Sequence, residues 1–140
     1  MNIKKIVWLK LRLVMGFIFF WAFLDKLLGL GFSTPKSAAW LSGGSPTTGF
    51  LQNATEGPLA EYFQTLAGVP FIDWLFMGGL FVVGLTLLIN RYVIWGASAG
   101  ALMMILLWIS VFPPENNPFI DEHVVYALVL AVLTIKSKEG

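Results

Sequence analysis

The segment Phe119-Ile120-Asp121-Glu122-His123-Val124-Val125-Tyr126 sets three titratable side chains next to one another and a phenol one helical turn later. His123 is the only histidine in the 140 residues. An imidazole changes charge near neutral pH, so it is the natural acid–base group of a proton-handling set with Asp121 and Tyr126. Asp121 and Glu122 also have a structural reading, because an aspartate caps a helix start and a glutamate in the first turn meets the positive end of the helix dipole. Capping requires neither His123 nor Tyr126, so those two carry more of the chemical weight.

A second set has the chemistry of anion binding. The stretch FIFFWAFLDKLLGLGF places Asp25 and Lys26 inside an otherwise apolar run, and Lys36 follows ten residues later. Ionisable groups within an apolar span are costly and usually face protein or water. On a helical wheel Lys26 shares a face with Arg12, Gly16, Phe19 and Phe23, all within about 80°, while Asp25 points away. That predicts Lys26 inside the bundle; the competing expectation is that it snorkels to the headgroups. The loop WLSGGSPTTGFL adds Ser42, Gly43, Gly44, Ser45, Thr47 and Thr48, whose hydroxyls and backbone N–H groups suit a small anion. It lacks the GK pair of a Walker motif.

Other chemistries are excluded. With no cysteine there is no disulfide, CxxC pair, thiolate metal site or covalently attached haem in these residues, and one histidine cannot make a bis-histidine haem. No residue set is expected to hold a metal. Redox chemistry would need a diffusible partner or a second subunit. A net charge of +1 gives no basis for nucleic-acid binding.

The elements that must position these residues follow from composition. Hydrophobic residues make up 57% of the chain and charged ones 12%, with a mean hydropathy of +0.78, too little charge to solvate a small soluble domain. Apolar runs over roughly 7–30, 72–89, 93–111 and 121–135 predict one domain: an all-α membrane bundle of four transmembrane helices. The last run reaches spanning length only if Asp121 to His123 begin its helix. Lys4, Lys5, Lys10, Arg12, Arg91, Lys136 and Lys138 fall at the termini and the second-to-third turn, which places both termini in the cytoplasm. The long connection 33–73 is expected outside and to hold two short helices, one after Thr34-Pro35 and one from Pro58 to Ala67. Gly96-x-x-x-Gly100 reads as a close-packing helix face.

Taken together, LRLVMGFIFFWAFLDKLLG, WLSGGSPTTGFL, the Gly57-Pro58 to Ala67-Gly68 piece and FIDEHVVYAL resemble the DoxX/DoxD family of small four-helix membrane proteins. SGGSPTTGFL and IDEHVVYA are the most specific parts, since a generic hydrophobic helix would not reproduce them. The resemblance implies a multi-pass protein of the bacterial or archaeal cytoplasmic membrane. It is nearest the DoxD branch, the large membrane subunit of thiosulfate:quinone oxidoreductase, which couples two thiosulfates to tetrathionate and reduces a diffusible membrane quinone. Partners implied are the lipid bilayer, a small DoxA-like subunit or another redox protein, a thiosulfate-like anion and further copies of the chain. In that frame Lys26, Lys36 and the Ser42 to Thr48 loop would hold the anion, while His123 and Tyr126 assist proton uptake. A non-enzymatic module supporting a redox partner and a small-solute transporter are the alternatives.

Overall fold

The structure is a computed structural model describing residues 1–140. It is entirely helical. The long helices are α1 (Ile3–Leu28), α4 (Pro70–Ile89), α5 (Val93–Ser110) and α6 (Glu122–Glu139). Between α1 and α4 lie α2 (Thr48–Asn53), α3 (Ala60–Thr65) and three single turns of 3-10 helix.

Helix starts and stops follow local chemistry. Asn2 accepts the Lys4 N–H at 3.0 Å to open α1, and Asp121 accepts the His123 N–H at 3.0 Å to open α6. Pro70 opens α4, where its missing N–H costs nothing. Gly29 closes α1 in the left-handed region, its N–H on Asp25 O at 2.8 Å. A side chain there is precluded, since a Cβ would stand 2.6 Å from Lys36 Cα.

The long helices pack in chain order, each antiparallel to the next. Gly84 of α4 lies against the backbone of Phe20 in α1, so closely that a Cβ would be 2.6 Å from Phe20 N. Gly96 meets Thr86, and Gly100 fits between Val83 of α4 and Leu130 of α6. These glycines bring backbones together where lipid supplies no hydrophobic drive, so association rests on close contact. Met77, Val83, Leu87, Ala97 and Leu130 form the fully enclosed centre. The seam between α1 and α6 is only lightly closed.

α1, α4 and α5 are long and apolar enough to cross a membrane; α6 is not. Its apolar stretch from Val124 to Ile135 covers ~18 Å at about 1.5 Å per residue, against a hydrocarbon core of ~30 Å. Glu122 and His123 precede it in the helix, and Lys136, Ser137, Lys138 and Glu139 follow it. The expected count of four spans is thus three by length and composition, with α6 packed beside them.

The connection 33–73 differs in detail from its expected form. The first expected helix is two 3-10 turns, Lys36–Ala38 and Trp40–Ser42, and the second is split into a turn at Gly57–Leu59 and α3. Helix α2, inside a stretch read as loop, was not anticipated. The connection is fastened to the bundle by Trp40, whose ring lies edge-on to Trp74 at 4.7 Å, and by the Glu56 N–H on Ser110 O at 3.0 Å.

Candidate functional site

His123 and Asp121 form a side-chain pair. Nδ1 of His123 lies 2.7 Å from Oδ2 of Asp121, while Oδ1 of the same carboxylate caps α6. The two side chains retain 18% and 12% of their exposure, enough for contact with a ligand or water at one edge. An ionised Asp121 holds the imidazole proton on Nδ1 and leaves Nε2 with its lone pair, the arrangement that orients a histidine base. Tyr126, one turn along, packs against the apolar core.

The pair borders a surface cavity of about 520 Å³. Its walls come from three segments: Phe50 to Glu56 in and just after α2, Val111 to Asn116 after α5, and Ile120 to His123 at the start of α6. Each wall is tied down. Gly57 sits against the Phe112 carbonyl where no Cβ fits, Trp108 Nε1 donates to Phe119 O at 2.8 Å, and Asn117 Oδ1 accepts from Phe119 N and Ile120 N at 2.9 and 3.1 Å. Glu56, Glu115, Asp121 and Glu122 make the lining acidic, with no lysine or arginine among the lining residues.

The expected anion set is placed elsewhere. None of Lys26, Lys36, Ser42, Gly43, Gly44, Ser45, Thr47, Thr48 or Tyr126 lines the cavity beside His123. The hydroxyls of the loop converge on Asp73 in the first turn of α4: Ser45 Oγ donates to Asp73 Oδ1 at 2.8 Å and Thr47 Oγ1 at 2.6 Å. With the Ser45 proton so committed, Thr48 Oγ1 donates to Ser45 Oγ at 2.7 Å and itself accepts the Gly68 N–H at 3.0 Å. The hydroxyl protons form a relay pointing at a buried carboxylate. Lys36, Ser42, Gly43 and Ser45 are exposed, and Gly44 packs on the Ala38 carbonyl.

The wheel reading of Asp25 and Lys26 lacks the loop that covers Asp25. Asp25 is the buried member, 1% exposed, and Lys26 is half-buried with no carboxylate within ion-pair distance. Asp25 accepts the Phe32 N–H at 3.2 Å, the Ser33 N–H at 2.9 Å and the Ser33 hydroxyl at 2.7 Å. A wheel describes neighbours across helix faces, whereas Asp25 is covered by its own chain folding back after Gly29.

The sequence reading missed the roles that three residues take in the fold. Asp73 is the hub of the loop, and its signal was available: a hydroxyl-rich loop needs an acceptor, and a lone acid follows Pro70. Asp25 ties the chain reversal. Arg12 reaches from α1 to the carbonyls of Leu87 and Leu88, terminal groups of α4 that have no partner within their own helix. Nothing local to Arg12 in the sequence indicates α4. No family model, curated protein or solved structure matches this chain.

Proposed function

We propose that the chain is a DoxX-type membrane subunit of a quinone-reducing oxidoreductase, with Asp121 and His123 as its proton-exchanging pair. The observation that carries this reading is the 2.7 Å contact from His123 Nδ1 to Asp121 Oδ2 beside the 520 Å³ cavity. Reduction of a quinone to a quinol takes two electrons and two protons. His123 Nε2 is the group suited to pass those protons between water and a membrane substrate. With thiosulfate as donor, two molecules join through a new S–S bond as tetrathionate and release the two electrons. Direct coupling of this kind uses no protein thiol, in keeping with a chain that has none. Electrons then pass from donor to quinone either on contact or through a small DoxA-like subunit.

In this reading the half-buried cation of Lys26, with exposed Lys36, draws the anion to the outer end of α1, and the loop hydroxyls serve the fold through Asp73. α6 crosses the bilayer beside α5, its short apolar stretch extended by Lys136 and Lys138 snorkelling to one interface. All four helices then span a bacterial or archaeal cytoplasmic membrane with both termini in the cytoplasm.

A second reading is favoured by the exposed acids Glu56, Glu115 and Glu122 around the cavity: a non-catalytic module docking a basic redox partner. One experiment separates the two. The purified chain in proteoliposomes is given thiosulfate and a ubiquinone analogue, and quinol is followed spectroscopically. Quinone reduction, lowered about 10²–10⁴-fold in His123→Ala, is expected, since that is the usual share of a general acid–base group. His123→Ala keeps the Asp121 cap, so its fold should be intact. A variant as fast as the unmodified chain removes the proton role, and no turnover in the unmodified chain favours the docking module.

A further inference from the structure

The opposite end of the bundle carries a different kind of surface. The α4–α5 turn and the end of α6 border an open cavity of about 530 Å³, lined by Asn90, Tyr92, Val93, Ile94, Trp95 and, from the other side, Ser137 and Gly140. The volume lies within the range of ~300–1,000 Å³ typical of small-ligand sites. No acidic side chain lines it. Exposed Arg91 stands in sequence between Asn90 and Tyr92, and exposed Lys136 and Lys138 on either side of Ser137; none of the three lines the cavity itself, and they make the surrounding surface basic. Arg91 is kept near by the Tyr92 ring, with its guanidinium carbon 5.8 Å from the ring centroid.

We propose that this cavity receives the phosphate headgroup of an anionic phospholipid, whose acyl chains lie along α5. Three features independent of the His123 site point to that occupant. Charge is complementary: Lys4, Lys5 and Lys10 lie at the same end, because Arg12 of α1 meets the C-terminal carbonyls of α4, while Glu139 is the one acidic side chain there and faces Lys136 at 3.4 Å. Tyr92 and Trp95 are 69% and 76% exposed at the end of a spanning helix, the position of interfacial aromatic anchors. Below Trp95, the residues Ala99, Leu102 and Leu106 continue the same face of α5 and are all exposed, an apolar track leading from the cavity into the hydrocarbon. Asn90, Tyr92, Trp95 and Ser137 contribute hydrogen-bond donors to the lining, as a phosphate requires. Clusters of Lys and Arg just beyond the end of a spanning helix are a recognised form of anionic-lipid binding.

The test uses the full chain in neutral detergent, titrated with palmitoyl-oleoyl phosphatidylglycerol or palmitoyl-oleoyl phosphatidylcholine and read by native mass spectrometry. Retention of the anionic lipid should exceed that of the zwitterionic one by about tenfold, and R91Q/K136Q/K138Q should abolish the difference. Ser137→Phe fills the cavity and leaves every charge in place, so it should reduce retention as well. Melting of each variant in phosphatidylcholine micelles reports its fold separately. Equal retention of the two lipids overturns the proposal. An equal loss in K4Q/K5Q/K10Q overturns it too, because that would reveal a diffuse surface charge with no built site. Displacement of the lipid by equimolar glycerol phosphate would assign the cavity to a free anion instead.

Discussion

At the scale of single residues, the carboxylates carry the architecture of the loop end. Asp25 ties the reversal after α1 and Asp73 gathers the hydroxyl relay of residues 45–48. Hydrogen bonds to a charged acceptor are the stronger kind, and removing the acceptor forfeits several of them at once. Asp25→Ala should therefore lower stability by about 2–4 kcal/mol, read as a fall in melting temperature in detergent. Lys26→Met, beside it, should cost under about 1 kcal/mol, because the half-buried ammonium has no ion pair to lose and the thioether suits the span. A larger effect from Lys26→Met than from Asp25→Ala would reverse the roles assigned to this pair.

At the scale of elements, glycine decides how near the helices come. Gly84 meets backbone atoms of Phe20, which cannot turn aside as a side-chain tip can, whereas Gly78 in the same helix has open space where a Cβ would go. The two positions should respond in opposite directions to the same change. Gly84→Ala should destabilise by about 1–3 kcal/mol through overpacking, and Gly78→Ala should stabilise by up to about 1 kcal/mol by restricting the unfolded backbone. Thermal unfolding of the two variants side by side checks this, and a shared sign would mean that α1 and α4 are not apposed at Gly84. The Gly96 and Gly100 pair was readable from its spacing alone, and it does face neighbouring helices. Gly84 was not, because no small residue repeats four positions away from it in α4.

At the scale of the whole molecule, antiparallel packing of consecutive long helices sets which segments share an end. Arg12 with Leu87 and Leu88, Gly96 with Thr86, and Ser98 Oγ with Thr134 Oγ1 at 3.5 Å together place the starts of α1 and α5 near the ends of α4 and α6. The charges separate accordingly, with Lys4, Lys5, Lys10, Arg91, Lys136 and Lys138 at one end and Glu56, Glu61, Glu115 and Asp121 at the other. In proteoliposomes, single cysteines at Ser45 and Lys138 should react with an impermeant maleimide from opposite sides. Labelling of both from one side would mean that α6 does not follow α5 across the bilayer.

Composition and periodicity by themselves determined that this chain is helical and lipid-seeking, because apolar residues in runs of 18 or more have no other solvent and no other backbone geometry open to them. They also located three of the long helices, the start of α6 at Asp121, and the existence of structured pieces in the long connection. The partners were decided in three dimensions. That Asp25 is buried, that Ser45 and Thr47 serve Asp73, and that Arg12 closes α4 all depend on contacts between residues from 7 to 76 positions apart. A polar side chain carries its donors and acceptors in its type, but its partner is whichever complementary group packing brings within about 3 Å, and local sequence holds no record of that distance.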